Sequence, residues 1–122
     1  IMASILRVDT LTDASSNNST AVSMVHNGTA RAWWQLDGTG TAALHDTFNG
    51  GSVTGHGTGE YTVALSATMG NTSYSYVYGG VSQNNTGSNG VATTSLRQRT
   101  RDGSNSALDL DHTTCTIHGD LA

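Results

Sequence analysis

The chain has 122 residues, the size of one domain with a modest core. Charged residues make up 11% of it against about 25% in an average domain, Lys is absent, and the net charge is −4. Nucleic acid is thereby excluded as a general partner, because that binding needs many Lys or Arg contacts to phosphate.

Further limits come from single residue types. Cys115 is the only cysteine, so no disulfide can form within the chain. No stretch reaches the roughly 18 apolar residues of a membrane-spanning helix, and membrane insertion is not expected. The apolar run near Ile1–Leu6 is too short for a signal peptide, which points to synthesis in a cytoplasm with Met2 as the start. Proline is absent and Thr, Ser, Asn and Gly are abundant, a composition that suits short strands joined by tight turns.

Taken in chain order, residues 4–11 alternate, with Leu6, Val8 and Thr10 on one face. Residues 13–18 are polar and turn-like, and 20–25 read as a short strand. Asn27-Gly28 then signals a type I′ hairpin turn into a strand over 30–36, which ends at Asp37-Gly38. Strands follow at 41–46, around Val53, and at 60–66. They are separated by a turn at Asn49-Gly50-Gly51 and a loop over 55–59. Residues 72–81 form the most aromatic strand, and 83–90 are a polar loop. Strands at 91–101 and 113–118 flank a turn near 103–106. Turn spacing of this kind predicts an all-β, antiparallel β-sandwich or jelly-roll-like fold, a single domain over 1–122 with negligible helix.

The alternation also assigns faces. Trp34 lies with Ala32 and Leu36, while Trp33 lies with Arg31 and Gln35, so one indole points inward and the other outward or into a subunit contact. Tyr74, Tyr76 and Tyr78 share one face. Three uses are open to that stripe: core packing with hydroxyls at the rim, a subunit interface, or a receptor site. Arg97, Arg99 and Arg101 likewise share a face, read as a solvated or ion-paired surface.

Catalytic and metal chemistry find no support in the spacing. His112, Cys115 and His118 carry good zinc ligands, but residues three apart on a strand point to opposite faces. His112 and His118 share a face yet lie roughly 20 Å apart on an extended chain. No nucleophile elbow, phosphate loop or dinucleotide fingerprint is present, so no enzyme activity and no cofactor is expected. Surface loops are the natural place for binding. Two stand out: the amide-rich 83–90 segment with Gln83, Asn84, Asn85 and Asn89, and residues 50–59 with His56.

An ordered set of short motifs adds a resemblance. It begins with Met2-Ala-Ser-Ile-Leu-Arg-Val-Asp-Thr-Leu-Thr-Asp13 and continues with Asn27-Gly-Thr-Ala-Arg-Ala-Trp33, Gly38-Thr-Gly-Thr41 and Thr47-Phe-Asn49. Val53-Thr54, Gly59-Glu-Tyr-Thr-Val63 and Gly119-Asp-Leu-Ala122 complete it. In this order they resemble small tail-fibre-like structural proteins of tailed bacteriophages, especially marine ones. Trp34 and the 83–90 loop depart from the pattern. The resemblance implies a virion component, a homotrimer that contacts other virion proteins and contributes to host attachment through a surface glycan or protein. A capsid decoration protein is the alternative. No catalytic residues come with it.

Overall fold

The computed structural model describes residues 3–80 and 90–122. Two antiparallel sheets face each other. The first has the order β4-β3-β9-β7, made of β3 (Ala32–Asp37), β4 (Ala43–Phe48), β7 (Ser75–Gly80) and β9 (Thr113–His118). The second has the order β5-β6-β8, made of β5 (Gly50–Gly57), β6 (Glu60–Leu65) and β8 (Ser95–Arg99). A separate hairpin of β1 (Thr10–Thr12) and β2 (Ser19–Ala21) precedes a short helix α1 (Val22–Gly28). The all-β sandwich expected from turn spacing is therefore what the chain forms.

Period-two alternation places the core between the sheets. Ala32, Trp34 and Leu36 of β3 and Cys115 and Ile117 of β9 meet Tyr61, Val63 and Leu65 of β6 and Leu96 of β8. Met69 and Tyr74 close one end of this cluster. Tyr76 and Tyr78 pack half-buried against it, and their rings lie 5.3 Å apart. The Tyr74 hydroxyl donates to the Ala92 carbonyl and the Tyr78 hydroxyl to the Arg97 carbonyl, each at 2.9 Å. The stripe thus faces inward with two of its hydroxyls reaching backbone at the rim.

A buried amide also links the two sheets. Gln98 is fully buried, accepts from the Trp34 indole N–H at 3.0 Å and donates to the Thr113 hydroxyl at 2.7 Å. Thr113 in turn donates to the Gly79 carbonyl at 3.1 Å. A side chain of β8 is thereby tied to β3 and β9 of the facing sheet, and its buried polar atoms find partners.

A corner carries the chain from β4 to β5. Asn49 adopts the left-handed region, φ 62°, which Asn tolerates better than most residues. Its amide donates to the carbonyls of Arg31 at 3.1 Å and Ala67 at 3.0 Å, so one side chain fastens both sheets at the crossing.

Three expectations are corrected. Residues 22–28 form α1 rather than a strand running into an Asn27-Gly28 hairpin turn. None of its residues is buried, so local hydrogen bonding decides its shape, and the Thr29 hydroxyl closes its end on the Val25 carbonyl at 2.6 Å. The strand expected over 4–11 is reduced to Thr10–Thr12. Residues 50–57, read as a turn, a short strand and a loop, are one strand, β5, with register shifts at Gly50/Val53 and Gly55/Gly57. Its glycines lack side chains but keep the N–H and C=O groups that pair with β6. Residues 83–89 of the polar loop lie outside the described residues.

Candidate functional site

The two outer faces of the sandwich differ in kind. On the three-stranded sheet, Arg97 and Arg99 project outward from β8 around Glu60 of β6. Arg97 Nη2 lies 2.6 Å from Glu60 Oε2, and Arg99 Nε lies 3.0 Å from Oε1. The hydrogen bond from Arg97 holds the Glu60 carboxyl below its ordinary range. Thr62 and His56 share the β5–β6 part of this sheet, with His56 Nε2 2.8 Å from the Thr62 hydroxyl. That face is polar and its charges are paired.

The four-stranded sheet presents the opposite chemistry. Phe48 pairs with Trp33, Trp33 with Thr116, and Thr116 with Val77. Directly opposed residues on neighbouring strands project to the same side. Phe48, Trp33 and Val77 therefore form one row across β4, β3, β9 and β7, and they are 53%, 40% and 65% exposed. Trp34, one residue along, is 1% exposed, so adjacent indoles have opposite fates. The next row is polar: Asp46, Gln35, Thr114 and Gly79. Trp33, Gln35, Asp46, Thr114 and Thr116 line a shallow hollow of about 380 Å³ between the rows.

A rim of titratable groups borders this sheet. His45 and His112 stack with ring centroids 5.3 Å apart. His45 Nε2 lies 3.7 Å from Asp37 Oδ2, and His112 Nδ1 lies 3.5 Å from Asp111 Oδ1. Asp37 accepts from the Thr39 hydroxyl at 2.5 Å and the Thr39 N–H at 2.8 Å, which holds its carboxyl below the usual range. Cys115 points into the core, where burial pushes its thiol up, while His118 projects to the outside. Among the described residues no group of three or more His, Cys, Asp or Glu side chains is placed to hold a metal ion. A second hollow of about 340 Å³ lies beside Gly38, Gly57, Tyr61 and Asp109. Its one carboxylate is engaged, because Asp109 Oδ1 accepts from the Tyr61 hydroxyl and from the Gly59 N–H.

The sequence-derived candidates therefore separate. Trp34, Tyr74, Tyr76 and Tyr78 face the core, and Gln83, Asn84, Asn85 and Asn89 lie outside the described residues. Trp33 remains on a surface. Phe48 and Val77 were not singled out by sequence reasoning, because their alignment with Trp33 depends on strand order. The alternation of β3 alone does place Trp33 on the outside.

The fold and this face define a β-sandwich module with one apolar and one ion-paired outer surface. Comparisons with protein-family models, curated proteins and solved structures returned no match. No helix among the described residues is long and apolar enough to cross a membrane.

Proposed function

We propose that this chain is a structural module of a bacteriophage virion, of the tail-fibre type, that contributes to host attachment as part of a homotrimeric assembly. The ordered motifs of the sequence support the virion assignment. The observation that carries the mode of action is the uncovered Phe48–Trp33–Val77 row, bordered by the polar row of Asp46, Gln35 and Thr114 on the same sheet face. Exposed apolar rows rimmed by polar residues mark contact surfaces. Aromatic residues are the side chains that most often anchor such contacts. The module works by packing: its four-stranded sheet is the contact face, and its three-stranded sheet, with paired charges, faces water.

The test uses virions that encode the chain. Cryo-electron microscopy of purified particles should place it in the tail or its fibres. Virions carrying Trp33→Ser together with Phe48→Ser should lose it, while the isolated variant keeps the parent's far-UV circular dichroism. Absence of the parent chain from particles, or its location on the capsid shell, would overturn the assignment. Normal incorporation of the double variant would overturn the contact face.

A further inference from the structure

We propose that the segment before the sandwich, residues 3–29, is an exchange arm whose apolar residues cover the Phe48–Trp33–Val77 row of a second copy of this chain. The proposal deepens the contact-face reading above and rests on it.

The arm contributes nothing to its own core. Across residues 3–29 only Val22 is even half-buried, and the rest are exposed. Yet the arm is not built for water. Ile5 is 74% exposed, Leu6 81% and Met24 68%, and Val8, Leu11 and Val25 are exposed as well. A segment that gains nothing from its own fold yet carries six large apolar side chains is matched to a surface elsewhere. Its internal order is local and polar. Asp13 accepts from the Asn17 N–H at 3.0 Å and the Asn18 amide at 2.7 Å, which shapes the β1–β2 turn.

The arm and the face match in length, charge and area. Ile5 to Leu11 spans roughly 20 Å when extended, longer than the row, which crosses three strand spacings or roughly 14 Å. Residues 3–8 carry no regular structure that would prevent this. Arg7, set between Leu6 and Val8, has no ion pair among the described residues. The strands β3, β4, β7 and β9 contain no Lys or Arg, and Asp46 and Asp37 lie on the outer side of that sheet. Arg7 therefore brings to the face the charge that it lacks. Removing the six arm residues and the three row residues from water would bury at most on the order of 1,000 Å², the scale at which specific contacts begin.

A second copy is the occupant because each copy carries both halves. The base of the arm is fixed: Arg31 is buried and donates to the His26 carbonyl and, at 2.9 Å, to the Gly119 carbonyl. From that anchor the arm leaves its own sheet uncovered. Where each copy gives its arm to one neighbour and receives one from another, the contact is heterologous and closes into a ring when the rotation between copies closes.

The experiment uses pairs of full-length single-cysteine variants. Cys115 is buried, so an added surface thiol is the reactive one. Leu6→Cys, Val8→Cys or Leu11→Cys is mixed with Phe48→Cys under mild oxidation, and Thr62→Cys on the opposite sheet serves as the control partner. Disulfide-linked heterodimers with Phe48→Cys should exceed those with Thr62→Cys at least fivefold. Leu6→Asp combined with Leu11→Asp should lower the sedimentation mass to that of a monomer, as Trp33→Ser with Phe48→Ser should. No excess at any of the three arm positions would overturn the exchange. So would a chain carrying Leu6→Cys and Phe48→Cys together that closes only on itself. If the arm variants stay assembled while Trp33→Ser with Phe48→Ser dissociates, the arm proposal fails and the contact face stands. If neither dissociates, both fail.

Discussion

Replacing Gln98 by leucine removes a fully buried amide that hydrogen-bonds from one sheet to the other while keeping its approximate volume. Gln98, Trp34 and Thr113 are all at most 1% exposed, so water cannot take over the lost bonds. Thr113 keeps a partner, since its hydroxyl still donates to the Gly79 carbonyl. The Trp34 indole N–H does not, because Gln98 Oε1 is its acceptor at 3.0 Å. A buried donor left without a partner costs about 1–3 kcal/mol, and the lost bond to Thr113 adds about 1 kcal/mol. Leucine recovers part of this through apolar burial, roughly 1 kcal/mol. Gln98→Leu should therefore destabilise the fold by about 2 kcal/mol, or about 8 °C in Tm for a domain of this size. Urea unfolding followed by tryptophan fluorescence and far-UV circular dichroism measures it, at one fixed protein concentration because assembly shifts apparent stability. The cycle with Trp34→Phe isolates the bond itself. The double variant should be less destabilised than the sum of the singles by about 1–2 kcal/mol. Equal or higher stability for Gln98→Leu, or additivity within about 0.5 kcal/mol, would refute the reasoning.

Two further outcomes follow from local geometry. Gly59 has φ +67°, and a Cβ there would sit 2.4 Å from the Thr100 carbonyl oxygen and 2.9 Å from the Leu108 nitrogen, both backbone atoms that cannot swing away. Gly59→Ala should destabilise by at least about 2 kcal/mol in the same urea assay, whereas Gly103→Ala, with open space around it, should stay within about 0.5 kcal/mol of the parent. The Glu60 carboxyl is held below its ordinary value of 4.5 in the folded chain, so its ion pairs stabilise the fold at pH values above 4.5 and lose that effect as pH falls through the lowered value. Glu60→Gln should accordingly be less stable than the parent at pH 7 and indistinguishable from it once the carboxyl is protonated. A difference between the two that persists at pH 2 would contradict this.

Much of the fold was legible because strands with one buried face write a period of two into the chain. Ala32, Trp34 and Leu36, the stripe of Tyr74, Tyr76 and Tyr78, and the outward Arg97 and Arg99 all follow from that alternation, and β9 lies where its residues place it. The same signal, applied to the other side of β8, puts Leu96 and Gln98 together inside. Gln98 escaped notice because an amide reads as a surface residue until its partners are known. Alternation fails where side chains are missing or carry no partner. The glycines of β5 conceal a strand held largely by backbone pairing, and the Val and Met residues of α1, none of them buried, mimic a strand without becoming one. Sequence by itself thus determined the class of fold and the facing of each indole. Tertiary structure decided the contact face, because Phe48, Trp33 and Val77 belong to three separate strands, and only the order β4-β3-β9-β7 and its register bring them into one row.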